Sequence, residues 1–416
     1  MAGGPGPPGA QDRPAPAGAI HTPLSTPAMG LAAAALHAVT LPLRALLAIT
    51  PASVLDHVTA RAVALLELDL IPDWLTRAGI RILLQQRLDM HTVSYESQTL
   101  EKQKFVEKLK RMPVAINTDE ANEQHYELPT EFFSLCLGPN MKYSSCVFQV
   151  GTETLEEAEN KMLTLYCHRA RLGPEQQILE MGCGWGSLSL FVAAKYPTAK
   201  VKAVSNSRTQ REYIMNRARE RNITNLEVVT ANMVEFDEPE NVQYDRVLSV
   251  EMLEHMKNYE VLFGRINRWL KPDGLFFCHV FAHKHFAYHF EDSGKPQDWM
   301  ARHFFLGGTM PSADLFMHFQ KDLKVENRWW INGKHYSKTL EMWLRNQDEN
   351  KKACWPYLVN TYGDASAPNS TASRRNVLRW WVRWRVFYIA CSELFRYNDG
   401  EEWGVLFYLF RKGTPP

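Results

Sequence analysis

The chain lacks an excess of charge of either sign, a paired-cysteine pattern and a clean membrane-spanning run. Its 47 lysines and arginines stand against 46 acidic residues, for a net charge of +1. Composition therefore gives no electrostatic reason to expect nucleic acid as a partner. None of the seven cysteines forms a CxxC pair, which argues against a disulfide framework and a zinc site. We expect reduced thiols and a cytoplasmic location.

The first 50 residues contain little that would pack into a globular core. Residues 1–27 are rich in glycine, proline and alanine, a composition typical of disorder. Residues 31–50 are apolar but interrupted by His37, Pro42 and Arg44, whereas a spanning helix needs about 20 mainly apolar residues. We predict a disordered and apolar extension over 1–50. Membrane contact through it, and an organellar or membrane-associated location, remain open alternatives.

The sequence pattern changes near residue 174. Residues 51–173 carry apolar side chains at helical spacing, which predicts a helical N-terminal region contributing to the cofactor site. Residues 174–281 alternate short apolar runs with helical patterns, as in a parallel α/β core. Residues 282–416 look mostly helical, and we predict a substrate cap whose last strand returns to the sheet. The strands that we predict are Gln177–Met181, Val201–Ser205, Leu226–Thr230, Tyr244–Val250, Gly274–Val280 and Trp403–Arg411.

A glycine-rich turn follows the first predicted strand, in the sequence ILEMGCGWG. Gly182, Gly184 and Gly186 allow a sharp turn and a close approach of the backbone to a ligand. The pattern also suits dinucleotide binders and is weak alone. Glu180, placed just before the first glycine, suits the ammonium group of a methionine better than a pyrophosphate. We therefore predict S-adenosyl-L-methionine as the cofactor.

The ends of the next two strands carry further candidates for this site. Asn206 and Gln210 follow the second strand, where neutral groups would hold ribose hydroxyls. Asn232 and Met233 follow the third strand, where an amide would contact an adenine edge and a thioether its face. The alternative is that the two asparagines are only turn residues.

The fourth strand ends in Glu251, and Glu254 and His255 come directly after it. In this topology ligands bind outside the carboxyl ends of the strands, so these three side chains are predicted to meet the methyl acceptor. A carboxylate would hold an ammonium, and a histidine with an ordinary pKa near 6.5 would take its proton. The alternative is a helix start with two exposed acids.

Four histidines, His279, His283, His285 and His289, lie in CHVFAHKHFAYHF. Pairs at this spacing can bind a metal ion, but no cysteine or acidic ligands accompany them at matching spacing. We predict no metal site. The last three histidines are expected at the surface of the cap.

Six ordered motifs between Ile71 and Lys412 together resemble the cyclopropane-fatty-acid-synthase-like methyltransferases, and most closely the coclaurine and pavine N-methyltransferases. The stretches are Asn122–Phe133, Met141–Phe148, Leu179–Phe191, Ser249–Glu260, His335–Trp343 and Phe387–Val405. The resemblance implies a class I, Rossmann-like α/β fold with a seven-stranded doubly wound sheet and a helical cap.

The resemblance also implies roles for residues that no local pattern selects. Tyr143 and Ser144 would close over the methionine end of the cofactor. His279 and Tyr336 match site residues of the family. Cys391 matches a cysteine regarded as active there, although a buried structural thiol explains it equally well.

These observations favour N-methylation of a small hydrophobic amine. The alternative is transfer to a lipid double bond, as in cyclopropane-fatty-acyl-phospholipid synthases. Those enzymes carry a cysteine where this chain has Ser145, which argues against it. A non-catalytic cofactor-binding module is a third hypothesis, disfavoured by the intact pair Glu254 and His255. Whether the chain forms a homodimer is left open.

Overall fold

A computed structural model of the chain describes residues 52–91, 94–116 and 128–413. The predicted extension over 1–50 lies outside this range, as do the first six residues of the motif Asn122–Phe133. The described part holds helices that precede the sheet, a mixed sheet, and a cap formed mainly after it.

The helices before the sheet follow the apolar spacing of the sequence. They are α1 (Ala52–Leu66), α2 (Asp73–His91), α3 (Tyr95–Arg111), α4 (Thr130–Cys136) and α5 (Leu155–Arg169). Helix α5 begins at a capping box, in which Thr154 and Glu157 satisfy each other's backbone N–H groups. Its inner face buries Met162, Leu163 and Tyr166 against the sheet side of the core.

Seven strands form the main sheet. In chain order they are β1 (Gln177–Met181), β2 (Lys200–Ser205), β3 (Leu226–Thr230), β4 (Tyr244–Val250), β5 (Leu270–His283), β8 (Leu323–Ile331) and β9 (Trp403–Lys412), with a short hairpin of β6 (Tyr288–His289) and β7 (Thr309–Met310) apart from them. The spatial order is β3-β2-β1-β4-β5-β9-β8. The first five strands are parallel, and β9 lies antiparallel between β5 and β8.

Helices α6 (Ser187–Lys195), α7 (Arg208–Glu220) and α8 (Tyr259–Trp269) connect the parallel strands. Two apolar cores result, one on each face of the sheet. The predicted seven-stranded doubly wound α/β fold is confirmed. Its switch point lies between β1 and β4, where ligands bind in folds of this kind.

The segment after residue 282 also contains strand β8, which the sequence pattern did not predict. The sequence of this strand, LKVENRWWI, carries polar residues in its centre, so it lacks the apolar run of the inner strands. As the edge strand of the sheet, it has a partner only on the β9 side. The rest of the cap contains α9 (Lys334–Glu349), α10 (Lys351–Tyr362) and α11 (Thr371–Arg396). No helix within the described ranges is both long and apolar enough to span a bilayer.

Candidate active site

The glycine turn after β1 has a left-handed backbone at each of its three glycines, with φ of 66° at Gly182, 53° at Gly184 and 75° at Gly186. A Cβ atom on Gly182 would lie 2.5 Å from Cγ of Met252, and one on Gly186 would lie 2.6 Å from a side-chain carbon of Ile214. A Cβ atom on Gly184 would meet nothing within 4 Å. Gly182 and Gly186 therefore serve close packing, whereas Gly184 borders open space.

That open space is a cleft at the carboxyl ends of the strands. Eight predicted site residues line it: Gly182, Gly184, Asn206, Gln210, Asn232, Met233, Glu251 and His255. The remaining lining residues come from neighbouring positions and from two further segments, the chain after α3 (Ile116) and the cap (Leu306 and Gly307). The cofactor and acceptor residues predicted from separate strand ends thus share one cavity.

Polar groups in the cleft suit a nucleoside with a methionine tail. The Gln210 side chain is buried; its Oε1 accepts a hydrogen bond from Ser205 Oγ at 2.7 Å, and its Nε2 has no partner among the described residues. Asn232 Oδ1 accepts from the backbone N–H of Val234 at 3.0 Å. Asn232 is therefore a turn residue that also lines the cleft, so the two alternatives are compatible. Gly184, which borders open space, and Gln210, whose Nε2 is free within the described ranges, would hold S-adenosyl-L-methionine.

Four predicted cofactor residues do not line the cleft. They are Gly186, described above, and Glu180, Tyr143 and Ser144. Glu180 is buried behind the glycine turn, and its carboxylate accepts a hydrogen bond from Ser189 Oγ. Burial raises the pKa of Glu180 to about 7. Tyr143 packs between Phe133 and Trp343, and Ser144 is buried beside it. Their contact with the cofactor stays a prediction.

The carboxylate of Glu251 is the centre of a buried network. Oε1 accepts the backbone N–H of Ser145 at 3.1 Å, and Oε2 accepts the hydroxyl of Tyr336 at 2.6 Å. His279 Nε2 lies 3.0 Å from Oε1, at ion-pair distance but without the angle of a full hydrogen bond. Tyr166 Oη in turn lies 2.6 Å from His279 Nδ1. Three predicted site residues are thus brought together.

The conformation of Glu251 is unusual for a residue with a side chain, since its φ is 48°. Such a conformation persists only when its surroundings determine it strongly. Although burial opposes ionisation, His279, Lys142 and Tyr336 together hold the pKa of Glu251 below its ordinary value. Glu251 is therefore an anion at neutral pH and faces the cleft.

Glu254 behaves in the opposite way. It lies in a short 3₁₀ turn, Leu253–His255, and is fully buried. Its Oε1 accepts the backbone N–H of Phe281 at 2.7 Å, while Oε2 has no partner in the described part of the chain. Burial, and next to it the charge of Glu251, raise the pKa of Glu254 well above its ordinary value. As a neutral acid outside the cleft lining, it does not attract an ammonium in the way that we expected.

His255 lines the cleft, with its ring 5.0 Å from the ring of Phe305. Burial and the neighbouring charge of Lys257 lower the pKa of His255 to about 4. This value differs from the ordinary pKa near 6.5 on which the sequence argument relied. The imidazole is therefore neutral throughout the physiological range and can accept a proton.

His283 and Cys391 are explained by their structural contacts and burial rather than by a chemical role. His283 is buried instead of lying at the surface of the cap, because its Nδ1 accepts the backbone N–H groups of His285 and Phe286. Across the described residues, no three histidine, cysteine or acidic side chains form a group that would hold a metal ion. Burial raises the pKa of the Cys391 thiol to about 12, and the charge of Glu251 adds to this. Cys391 is thus a thiol at neutral pH.

Sequence reasoning missed two members of the network, Tyr166 and Lys142. Tyr166 lies on α5, where its apolar neighbours predict an ordinary core position. Lys142 lies in the motif MKYSSCVF and is completely buried. Because lysine is rarely buried, nothing in the local sequence predicts this location.

Comparisons with known proteins agree with this geometry. Residues 115–361 match the family described as mycolic acid cyclopropane synthetase. The chain is 40% identical to an (S)-coclaurine N-methyltransferase of Thalictrum flavum over 83% of this chain and 94% of that one. It is 34% identical to a pavine N-methyltransferase of the same plant over 81% and 92% of the two chains.

A solved structure supports the same relationship. A crystal structure of coclaurine N-methyltransferase, bound to N-methylheliamine and S-adenosylhomocysteine, is 37% identical, with a TM-score of 0.79 over 85% of this chain and 99% of that one. A cyclopropane synthase of Mycobacterium tuberculosis, at 23% identity and a TM-score of 0.57 over 71% and 98%, shares the fold. The chain belongs to the cyclopropane synthetase family of methyltransferases, and within it is an S-adenosyl-L-methionine-dependent N-methyltransferase of the coclaurine type.

Proposed function

We propose that the chain methylates the nitrogen of a small hydrophobic amine, of the tetrahydroisoquinoline or phenethylamine kind. The observation that carries this proposal is the position of Glu251, an ionised carboxylate in the same cleft as Gly184 and Gln210. A buried anion attracts an ammonium. The relatives named for coclaurine and pavine, and the solved relative bound to N-methylheliamine, support an alkaloid-like amine.

Each residue of the site has a separate role in such a reaction. Bound S-adenosyl-L-methionine would supply an electrophilic methyl group on its sulfonium. Glu251 holds the protonated amine, and the neutral His255 relays the proton from the amine to solvent in the cleft, so that the nitrogen lone pair is released. Leu306, which lines the cleft, provides an apolar wall for the carbon skeleton, and the neighbouring Phe305 ring contacts His255. Tyr336 and His279 keep the carboxylate of Glu251 in place.

The test is incubation of the purified chain with methyl-labelled S-adenosyl-L-methionine and a mixed panel, followed by mass spectrometry. The panel contains a tetrahydroisoquinoline, a phenethylamine, an aliphatic amine without a ring, and vesicles of an unsaturated phospholipid. We expect label on the two aromatic amines, less on the aliphatic amine and little on lipid. Faster labelling of the acyl chains than of any amine would overturn the proposal.

We propose further that the N-terminal part of the chain contacts a membrane surface. Val54, Val58 and Leu65 are exposed apolar residues at helical spacing on α1, directly after the apolar residues 31–50. Co-sedimentation with vesicles, compared between the full chain and a chain that starts at residue 51, tests this contact. Light scattering of the same samples decides between monomer and homodimer. The cytoplasmic location stays a prediction.

A further inference from the structure

Lys142 lies beneath the candidate active site, although the reaction as described does not use it. Its side chain has no exposed surface. Nζ donates to Ser144 Oγ at 2.5 Å and to the carbonyl oxygen of Ser145 at 2.6 Å, and it lies 5.2 Å from the centre of the Tyr166 ring. Within the described residues, no carboxylate is in direct ion-pair contact with it. Burial lowers the pKa of the Lys142 amine, and the charge of Glu251 is among those that oppose this effect. An amine buried on neutral acceptors alone needs an explanation.

The two acceptors of Lys142 lie on either side of the backbone N–H of Ser145. That N–H donates to Oε1 of Glu251 at 3.1 Å. Cys146, next along the chain, is fixed from the other side, because its backbone N–H donates to Thr339 Oγ1 at 3.1 Å. Lys142 therefore contacts both sides of the peptide whose N–H donates to the Glu251 carboxylate.

The charge of Lys142 acts on the same carboxylate. Three buried acids, Glu159, Glu180 and Glu251, each have a pKa that the Lys142 ammonium lowers, in opposition to the effect of burial. Of these, only Glu251 lines the cleft. The Lys142 charge thus favours the ionised form of Glu180 on the cofactor side and of Glu251 on the acceptor side.

We propose that Lys142 is a positioning residue for N-methylation: it fixes the Ser144–Ser145 segment so that the Ser145 N–H holds Glu251. The inference rests on the proposed function, since it assigns the anion that meets the amine. Lys142 touches neither the cleft nor the reacting atoms. Its effect passes through Glu251.

The central test replaces Lys142 by methionine, which has nearly the same length and no charge. We expect kcat/KM for the amine to fall about 10- to 100-fold, while the dissociation constant of S-adenosyl-L-methionine changes less than threefold. Lys202→Met is the matched control. That lysine pairs with Glu238 at 2.9 Å, away from the cleft, and its loss should leave kcat/KM unchanged. An unchanged kcat/KM in the folded Lys142→Met variant would overturn the proposal.

A double variant distinguishes action through Glu251 from a separate contribution. If Lys142 acts through that carboxylate, Lys142→Met combined with Glu251→Gln should lose no more activity than Glu251→Gln alone. If the activity losses of the two single variants multiply in the double variant, Lys142 acts independently of Glu251 and the proposal is contradicted. Lys142→Gln keeps a donor toward Ser145 without the charge, and we expect an intermediate loss. If Lys142→Met does not fold, Lys142→Gln decides: kcat/KM equal to that of the unmodified chain overturns the proposal.

The pH profile gives a result that a merely structural role would not produce. The groups that surround Glu251 are Lys142 before α5, Tyr166 on α5, Glu254 and His255 after β4, His279 on β5, Tyr336 on α9 and Cys391 on α11. Removing the Lys142 charge should move the acid limb of kcat/KM to higher pH, because Glu251 then protonates more easily. An acid limb at unchanged pH would contradict the charge effect.

A measurement without any amine separates this inference from the proposed function. In a crystal structure of Lys142→Met, the Ser145 N–H should no longer contact Glu251, whether or not any amine is methylated. If the unmodified chain methylates no amine but this contact is lost in the variant, the proposed function fails and the positioning stands. If the contact remains at 3.1 Å, the positioning itself is wrong.

Discussion

The two sides of the cleft are built in different ways. The cofactor side consists of the lining residues that lie at or shortly after the ends of β1, β2 and β3. At the first of these ends, a backbone turn with left-handed glycines shapes the cleft. The acceptor side consists of side chains from β4, β5 and α9 that meet around Glu251 in the interior. A change on the cofactor side should therefore have a local effect on one ligand. A change on the acceptor side should spread through shared partners.

The largest effect is expected on the cofactor side, from Gly184→Val. A side chain there would point into the cleft where the ligand approaches the backbone, so calorimetry should detect no binding of S-adenosyl-L-methionine. Valine is also strained at positive φ. Gly294→Val controls for this strain, since Gly294 has a φ of 83° and open space around it, away from the cleft. Retained affinity in Gly184→Val would refute the assignment of this turn.

On the acceptor side, His255→Ala should lower kcat about 100-fold, the lower end of the range for loss of a proton acceptor, because an imidazole with a pKa of about 4 is a weak base. Cofactor affinity should change little, which separates the two sides. The pH dependence follows from the pKa of about 4 for His255. The imidazole is already neutral above about pH 5, so the rate should rise with pH only through deprotonation of the amine, whose pKa lies near that of lysine, about 10.4. A rate plateau that begins near pH 6.5 would show that His255 titrates normally.

Asn206→Ala should have a moderate effect, confined to the cofactor. One hydrogen bond contributes about 0.5–1.5 kcal/mol, so the dissociation constant of S-adenosyl-L-methionine should rise about 2- to 12-fold, with an unchanged KM for the amine. Asn241→Ala, at an exposed asparagine outside the cleft, is the control. Equal affinities of the two variants would reduce Asn206 to a turn residue.

Glu254→Gln and Glu251→Gln should change the pH dependence of stability in opposite directions. The native pKa of Glu254 is raised, so its unfolded form loses the proton first and stability falls as pH rises above about 4.3. Glutamine removes this loss. The melting temperature of Glu254→Gln, relative to the unmodified chain, should therefore be higher at pH 8 than at pH 5.

The native pKa of Glu251 is lowered, so its contribution is present above about pH 4.3 and is lost at lower pH. Glu251→Gln should thus lower the melting temperature most at neutral pH. Parallel changes in the two variants would mean that the glutamates do not differ in protonation.

The smallest effect is expected from Cys391→Ser. Because burial holds the pKa of the thiol at about 12, almost no thiolate exists at neutral pH to act as a nucleophile. We expect kcat to stay within about threefold of its original value. A loss of 100-fold, or rapid alkylation by iodoacetamide at pH 7.5, would restore a chemical role for Cys391.

The sequence was sufficient to predict the sheet strands near the cofactor. A parallel strand buried on both faces leaves a short apolar run, and the end of such a strand marks the ligand edge. For this reason β1 and β3 have the predicted bounds, and the residues after β1, β2 and β3 line one cleft. Strand β8 escaped prediction because its polar centre lies at the edge of the sheet.

The acceptor side was predictable as a set of residues but not in its protonation states. The motifs placed Glu251, Glu254 and His255 together, yet burial decides which of them carries a charge. Glu254 is the more deeply enclosed, with one oxygen on the N–H of Phe281 and the other without a partner among the described residues. Glu251, in contrast, accepts hydrogen bonds from the Ser145 N–H and the Tyr336 hydroxyl and has His279 Nε2 at 3.0 Å. Such differences come from contacts between residues distant in sequence, which no local pattern contains.

The place of β9 within the sheet has a consequence for synthesis of the protein. This strand pairs with β5 on one side and β8 on the other, yet it begins about 120 residues after β5 ends. At a translation rate of about 5–20 residues per second, β5 waits on the order of 10 seconds for its neighbour. During that time its open edge is available to other chains. The nascent protein is therefore most vulnerable to aggregation after its cofactor-binding half has been made.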